Sequence, residues 1–247
     1  MELTKLRHIL CLTLLLLGSA GLHAQDNDMI LNRPYADSKK VHFGFSVGMN
    51  FQNIAITNNG SITNGNQEWY ADVPAHSPGF SVNVLADYRI AEHFNLRVSP
   101  GLYFGNKVVK FLDHHNPYSD SGKNRQNIKS TYIVVPVDLK MSAKRYHNMR
   151  PYFTGGIMYT HDLAKDSGEQ PLKLKDADLM LTVGMGCDFY MPFFKLCPEV
   201  KFCFGLKNLL DRNRPDLEVE GHLEDMCFTQ SVNKITSNMV VVTFYFE

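Results

Sequence analysis

Charged side chains recur at even spacing inside otherwise apolar stretches of this chain. Lys195, Glu199 and Lys201 interrupt an aromatic run; Asp138 and Lys140, and likewise Asp87 and Arg89, stand two residues apart; Arg97 and Asp188 lie in similar surroundings. Even spacing puts residues on one face of a β-strand. These nine residues (Asp87, Arg89, Arg97, Asp138, Lys140, Asp188, Lys195, Glu199 and Lys201) are the candidate polar network. Both signs are about equally represented, as mutual neutralisation in a confined interior requires. A buried charge without a partner costs several kcal/mol.

Other residues with possible chemistry fall short of a site. Asp113, His114 and His115 resemble a fragment of a metal centre, but zinc needs three or four ligands at suitable spacing. His161 and Asp162 end an alternating segment with no G-x-S-x-G and no strand-borne nucleophile nearby. No catalytic residue, metal site, cofactor or small-molecule substrate is expected. Lys+Arg and Asp+Glu both total 25, so nothing marks a nucleic-acid partner. "NGNQEWYAD" (residues 64–72), which holds the single tryptophan, Trp69, reads as a loop whose aromatic pair packs on a rim. Residues 107–126 read as a solvated loop. Residues 206–216 suggest a short helix.

The elements that must hold these charges have period two. Eight segments show it: residues 41–54, 79–90, 93–107, 128–142, 150–161, 178–191, 193–206 and 234–246. Most exceed the usual soluble strand and suit tilted strands crossing a bilayer, which need about 9–11 residues. The connections alternate long, short, long, short, with Pro192 marking the tightest turn. That is the rhythm of an up-and-down barrel with its two ends in different compartments.

A soluble lipocalin-like barrel alternates too, with its apolar face inside. Here the polar face combines glycine with both charge signs. The apolar face ends in aromatics such as Phe51, Tyr88, Phe94, Phe104, Phe189 and Phe194, where an interfacial girdle belongs. The expectation is an all-β protein: an eight-stranded antiparallel up-and-down transmembrane β-barrel of the outer membrane, with lipid as its surroundings. So small a barrel has an interior just wide enough for side chains to fill. Its charges are expected to lock it shut rather than line a pore.

The N-terminus supports export. Lys5, Arg7 and His8 precede an apolar core at residues 9–17, and small residues lead to Ala24. Residues 1–24 are read as a cleaved signal peptide, 25–40 as a polar periplasmic lead-in, and 41–247 as the barrel with four long extracellular loops. Beyond the signal region stand Cys187, Cys197, Cys203 and Cys227, in no zinc-like spacing. Cys197 and Cys203 lie ~20 Å apart along one strand and cannot pair with each other. A bridge from Cys203 to Cys227 stays open.

Four stretches resemble the PorT family of Bacteroidetes outer-membrane barrels: "FNLRVSPGLYFGNK" (residues 94–107), "IVVPVDLKMSAKR" (133–145), "MRPYFTGGIMYTHDL" (149–163) and "GMGCDFYMPFFKLCPEVKFCFGLKNLL" (184–210). The last is the most specific. The resemblance implies a part in the type IX secretion system, which exports proteases and adhesins bearing a C-terminal signal domain. It implies other type IX subunits as partners and no catalytic residues. The narrow lumen favours an accessory to a larger translocon over the channel itself. A stand-alone structural or adhesive barrel is the alternative.

Overall fold

The computed structural model describes residues 32–58, 69–72, 77–113, 125–163, 175–210 and 232–247. After a single 3-10 turn, Ala36–Ser38, the described chain is β structure. Its strands are β1 (Val41–Asn58), β2 (Trp69–Asp72), β3 (Ser77–Arg89), β4 (Phe94–Val98), β5 (Gly101–Asp113), β6 (Arg125–Ser142), β7 (Met149–Asp162), β8 (Ala177–Tyr190), β9 (Lys195–Gly205) and β10 (Val232–Phe246).

Every pairing is antiparallel: β1 pairs with β3, β3 with β4 and β5, these two with β6, β6 to β10 pair in succession, and β10 returns to β1, closing the ring. β4 and β5 together form one stave. Pro100 lacks an N–H for the ladder, so the strand is interrupted at Ser99 and Pro100. The phase survives the gap: Val98 faces Ala86 and Val137, while Gly101 faces Asn83 and Val134. Three residues on each neighbour match three here, so inward residues stay inward. β2 pairs with the far end of β5, on the edge that β3 occupies nearer the start of β5, and adds no stave of its own. The described strands therefore make eight staves.

Several boundaries differ from the sequence reading. β1 and β6 each run 18 residues, longer than their periodic cores suggested, because their ladders continue on β10 and β5 beyond the apolar stretch. Trp69 lies in a strand rather than a loop, paired with Asp113. Residues 206–210 are not helical; 211–216 lie outside the described residues. Among the described residues no helix is long and apolar enough to cross a membrane, which says nothing of strands.

The two faces separate cleanly. Outward positions on every stave are apolar and exposed, among them Phe43, Phe45, Val84, Tyr88, Phe94, Leu139, Phe153, Val183 and Phe202. A continuous apolar band of this size suits hydrocarbon; in water it would far exceed the few hundred Å² that monomers leave uncovered. Inward positions carry most of the charges along one half of the barrel's length and a mixture of apolar and neutral polar side chains farther along. Three short turns (residues 90–93, 143–148 and 191–194) and the C-terminus share one end, called here the short-turn end. The longer connections, after β1, β5, β7 and β9, leave from the other.

Candidate functional site: the locked lumen and its mouth

Period two on each stave sends one charged residue after another into the barrel near the short-turn end. The result is one continuous chain of alternating sign. Lys201 Nζ lies 2.5 Å from Asp138 Oδ2 and 3.2 Å from Glu199 Oε1. Arg97 Nη1 donates to Glu199 Oε2 at 3.0 Å, and its Nη2 reaches Asp87 Oδ2 at 3.1 Å and Glu247 Oε1 at 3.2 Å. Lys195 pairs with Glu247 and stands 3.8 Å from Asp188. Lys140 closes the series on Asp188 at 2.7 Å. Every member is at least 94 % buried except Glu247, whose side chain is also covered.

Neutral groups complete the network. Tyr152 donates its hydroxyl to Glu199, Thr182 to Asp138, and Asn95 its amide to Asp87. Arg97 lies against the rings of Tyr245 and Tyr152, with centroids 4.7 and 5.3 Å away, and Lys140 sits 4.0 Å over Tyr152. Charges so placed are both paired and hydrogen-bonded, the condition for tolerating burial. Gly186 makes room for this packing: a Cβ there would stand 2.5 Å from the Tyr152 hydroxyl.

Toward the long-loop end the lumen changes character. Tyr103, Tyr132, Val134, Met158, Met180, Cys203, Met239 and Val241 form a buried apolar cluster. Lining side chains of a water-filled pore are accessible; these are at most 7 % exposed. Buried polar side chains, among them Asn50, Gln52, Ser81, Ser130, Thr160 and Ser237, surround this cluster, and together with the charged layer they fill the barrel.

Of the nine sequence candidates, eight lie buried in this network: Asp87, Arg97, Asp138, Lys140, Asp188, Lys195, Glu199 and Lys201. Arg89 does not join them. It is one turn nearer the mouth, where Nη1 donates to the Asp37 carbonyl and Nε to that of Ala91. Sequence reasoning missed Glu247, although the outward positions of Phe244 and Phe246 place Tyr245 and Glu247 inward. It also missed the apolar layer, which "IVVPV" and "MVVV", apolar on both faces, announce.

A second cluster closes the short-turn mouth. Residues 32–40 lie across it, held mainly by side chains. Asp37 receives Arg145, Arg150 and the Tyr190 hydroxyl, at 3.4, 3.2 and 2.5 Å. Arg145 also donates to the carbonyls of Asn32 and Arg33 and stacks on Tyr190, its guanidinium carbon 3.6 Å from the ring centroid. Asn32 and Arg33 reach the carbonyls of Tyr190 and Glu247.

The remaining candidates stay apart from both clusters. Asp162 accepts the Thr131 N–H, a structural tie between β6 and β7. His114 and His115 lie outside the described residues. Among the described residues no three His, Cys, Asp or Glu side chains stand together as a metal-ligand set. Cys187, Cys197 and Cys203 are free thiols, and Cys227 lies outside the described residues.

Solved structures similar to this chain include OprG from Pseudomonas aeruginosa, at 15% identity over 83% of this chain and 92% of that one, with a TM-score of 0.42. Neisserial surface protein A is 11% identical over 84% and 98%, also with a TM-score of 0.42. The N-terminal barrel domain of Pseudomonas aeruginosa OprF is 13% identical over 81% and 97%, with a TM-score of 0.34. With each TM-score below 0.5, the fold rests on the strand pairing and not on these likenesses. A comparison with curated protein sequences returned no match. The family model for the outer membrane protein beta-barrel domain matches residues 23–211, three quarters of the chain and most of its staves. The chain belongs to the outer membrane protein beta-barrel domain family.

Proposed function

We propose that this outer-membrane barrel is an accessory component of the type IX protein secretion system, required for export of cargo with C-terminal signals and acting through its ends. The observation that carries this reading is the filled lumen. A barrel locked by paired charges and capped by an apolar layer has no path for a polypeptide, so its contribution to export must come from its mouth, its loops or its outer face. The type IX assignment itself is supported by resemblance. The stretches similar to the PorT family contain Arg97, Asp138, Lys140, Asp188, Lys195, Glu199 and Lys201, so they carry most of the network. In this reading residues 1–24 direct export, the short-turn end faces the periplasm, and the long loops face outward. Other type IX subunits are the partners.

Deleting the gene is expected to abolish surface delivery of C-terminal-signal cargo, scored by labelling intact cells. Restoring the intact gene returns it. Unchanged delivery would overturn the proposal and leave a stand-alone structural or adhesive barrel.

A further inference from the structure

The segment across the mouth is bound as a ligand is bound. Residues 32–39 form no ladder with a stave; the first contact of that kind is the Arg89 N–H on the Lys40 carbonyl. Their recognition comes from barrel side chains and a few turn groups, directed at main-chain carbonyls and one carboxylate that a short turn-forming peptide can offer. Arg145 and Arg89 read main-chain carbonyls of residues 32, 33 and 37. Arg145, Arg150 and Tyr190 converge on one carboxylate, that of Asp37. The Asn148 side chain accepts the Asn32 N–H at 3.0 Å.

The receptor groups are held independently of the segment. Arg145 Nε donates to the His147 carbonyl at 2.9 Å. Arg150 donates to the carbonyls of Ala143 and Glu92. Tyr190 is fixed at the end of β8 beneath the Arg145 guanidinium. Their geometry is thus preorganised, which favours binding because little freedom is lost. Arginine suits this task, since its planar fork can serve a carboxylate and a carbonyl together. A left-handed backbone, uncommon for a residue other than glycine, occurs on both sides of the contact: at Arg33 of the segment, φ 46°, and at His147 of the turn that holds Arg145, φ 52°.

We propose that the short-turn mouth is a binding site for a short peptide segment that carries an acidic side chain in a 3-10 turn, and that residues 32–40 are its resident, exchangeable occupant. The natural ligand is a segment of a partner protein with the same chemistry: two consecutive carbonyls open to an arginine, the second also capping a turn, and a carboxylate four residues after the second. Displacing the resident segment would hand the barrel's mouth to that partner. The site rests on mouth geometry alone and is independent of the secretion role, so a failed peptide experiment leaves the gene-deletion result untouched.

The test uses the mature chain folded in detergent. A fluorescein-labelled peptide of residues 32–40 is titrated against the Asp37→Asn chain, whose own segment has lost its carboxylate, and against the unaltered chain. Binding at least tenfold tighter to the Asp37→Asn chain is expected. A peptide with asparagine in place of aspartate should bind at least tenfold more weakly, and Arg145→Ala in the same chain should abolish binding. A second measurement needs no variant: excess unlabelled peptide should speed trypsin cleavage of the unaltered chain after Lys39 and Lys40. Absence of binding to both chains, equal binding of the aspartate and asparagine peptides, or cleavage indifferent to peptide would each overturn the proposal.

Discussion

Arg97→Leu is expected to destabilise the folded barrel by about 3–5 kcal/mol, the usual cost of removing one partner from a buried ion pair. Arg97 is fully buried and joins three carboxylates: Asp87, Glu199 and Glu247. Lys201 still neutralises Glu199, and Lys195 still neutralises Glu247. Asp87 keeps the neutral Asn95 amide but loses its cation, and bears most of the loss. Adding Asp87→Asn to Arg97→Leu should therefore recover about 1–2 kcal/mol, a coupling of the size found within one network. Urea titration read by the heat-dependent gel shift of unboiled protein measures both. Equal stability of Arg97→Leu and the parent would mean that the charges are solvated and the network is not holding the lumen.

Val183→Arg tests the opposite face. Val183 lies midway along β8, points outward and is half exposed. Its ladder partners, Gly155 and Phe202, also face outward. An arginine there is expected to cost about 2–4 kcal/mol in lipid vesicles, as at the midplane of a membrane barrel. On a water-exposed barrel the same change would fall within about 0.5 kcal/mol. Folding yield into vesicles against urea gives the number, and a neutral result would place the outward face in water.

Much of the fold is legible because strand periodicity is a local property. Once Phe43, Phe45, Val47 and Met49 alternate with small polar residues, the faces are set, and they stay set through the Pro100 gap because register is conserved there. Which charge meets which is not local. Asp188 and Lys195 flank one short turn, which suggests a pair, yet Lys140 from β6 lies nearer to Asp188, at 2.7 Å against 3.8 Å. The difference arises from closure: inward side chains in a narrow barrel meet across the lumen as readily as along the sheet. The mouth was illegible for another reason. Residues 32–40 are polar and aperiodic, and two of the arginines that hold them, Arg145 and Arg150, lie more than 100 residues away in sequence. Trp69 misled because a four-residue strand carries too little alternation to announce itself.

The central claim is that the lumen is closed. Recording ionic current from the purified barrel in a planar lipid bilayer tests it most directly. The layered interior predicts no conductance steps above those of the bare membrane across a range of voltages. Sustained, discrete openings of the unaltered protein would contradict it and return the barrel to the class of channels.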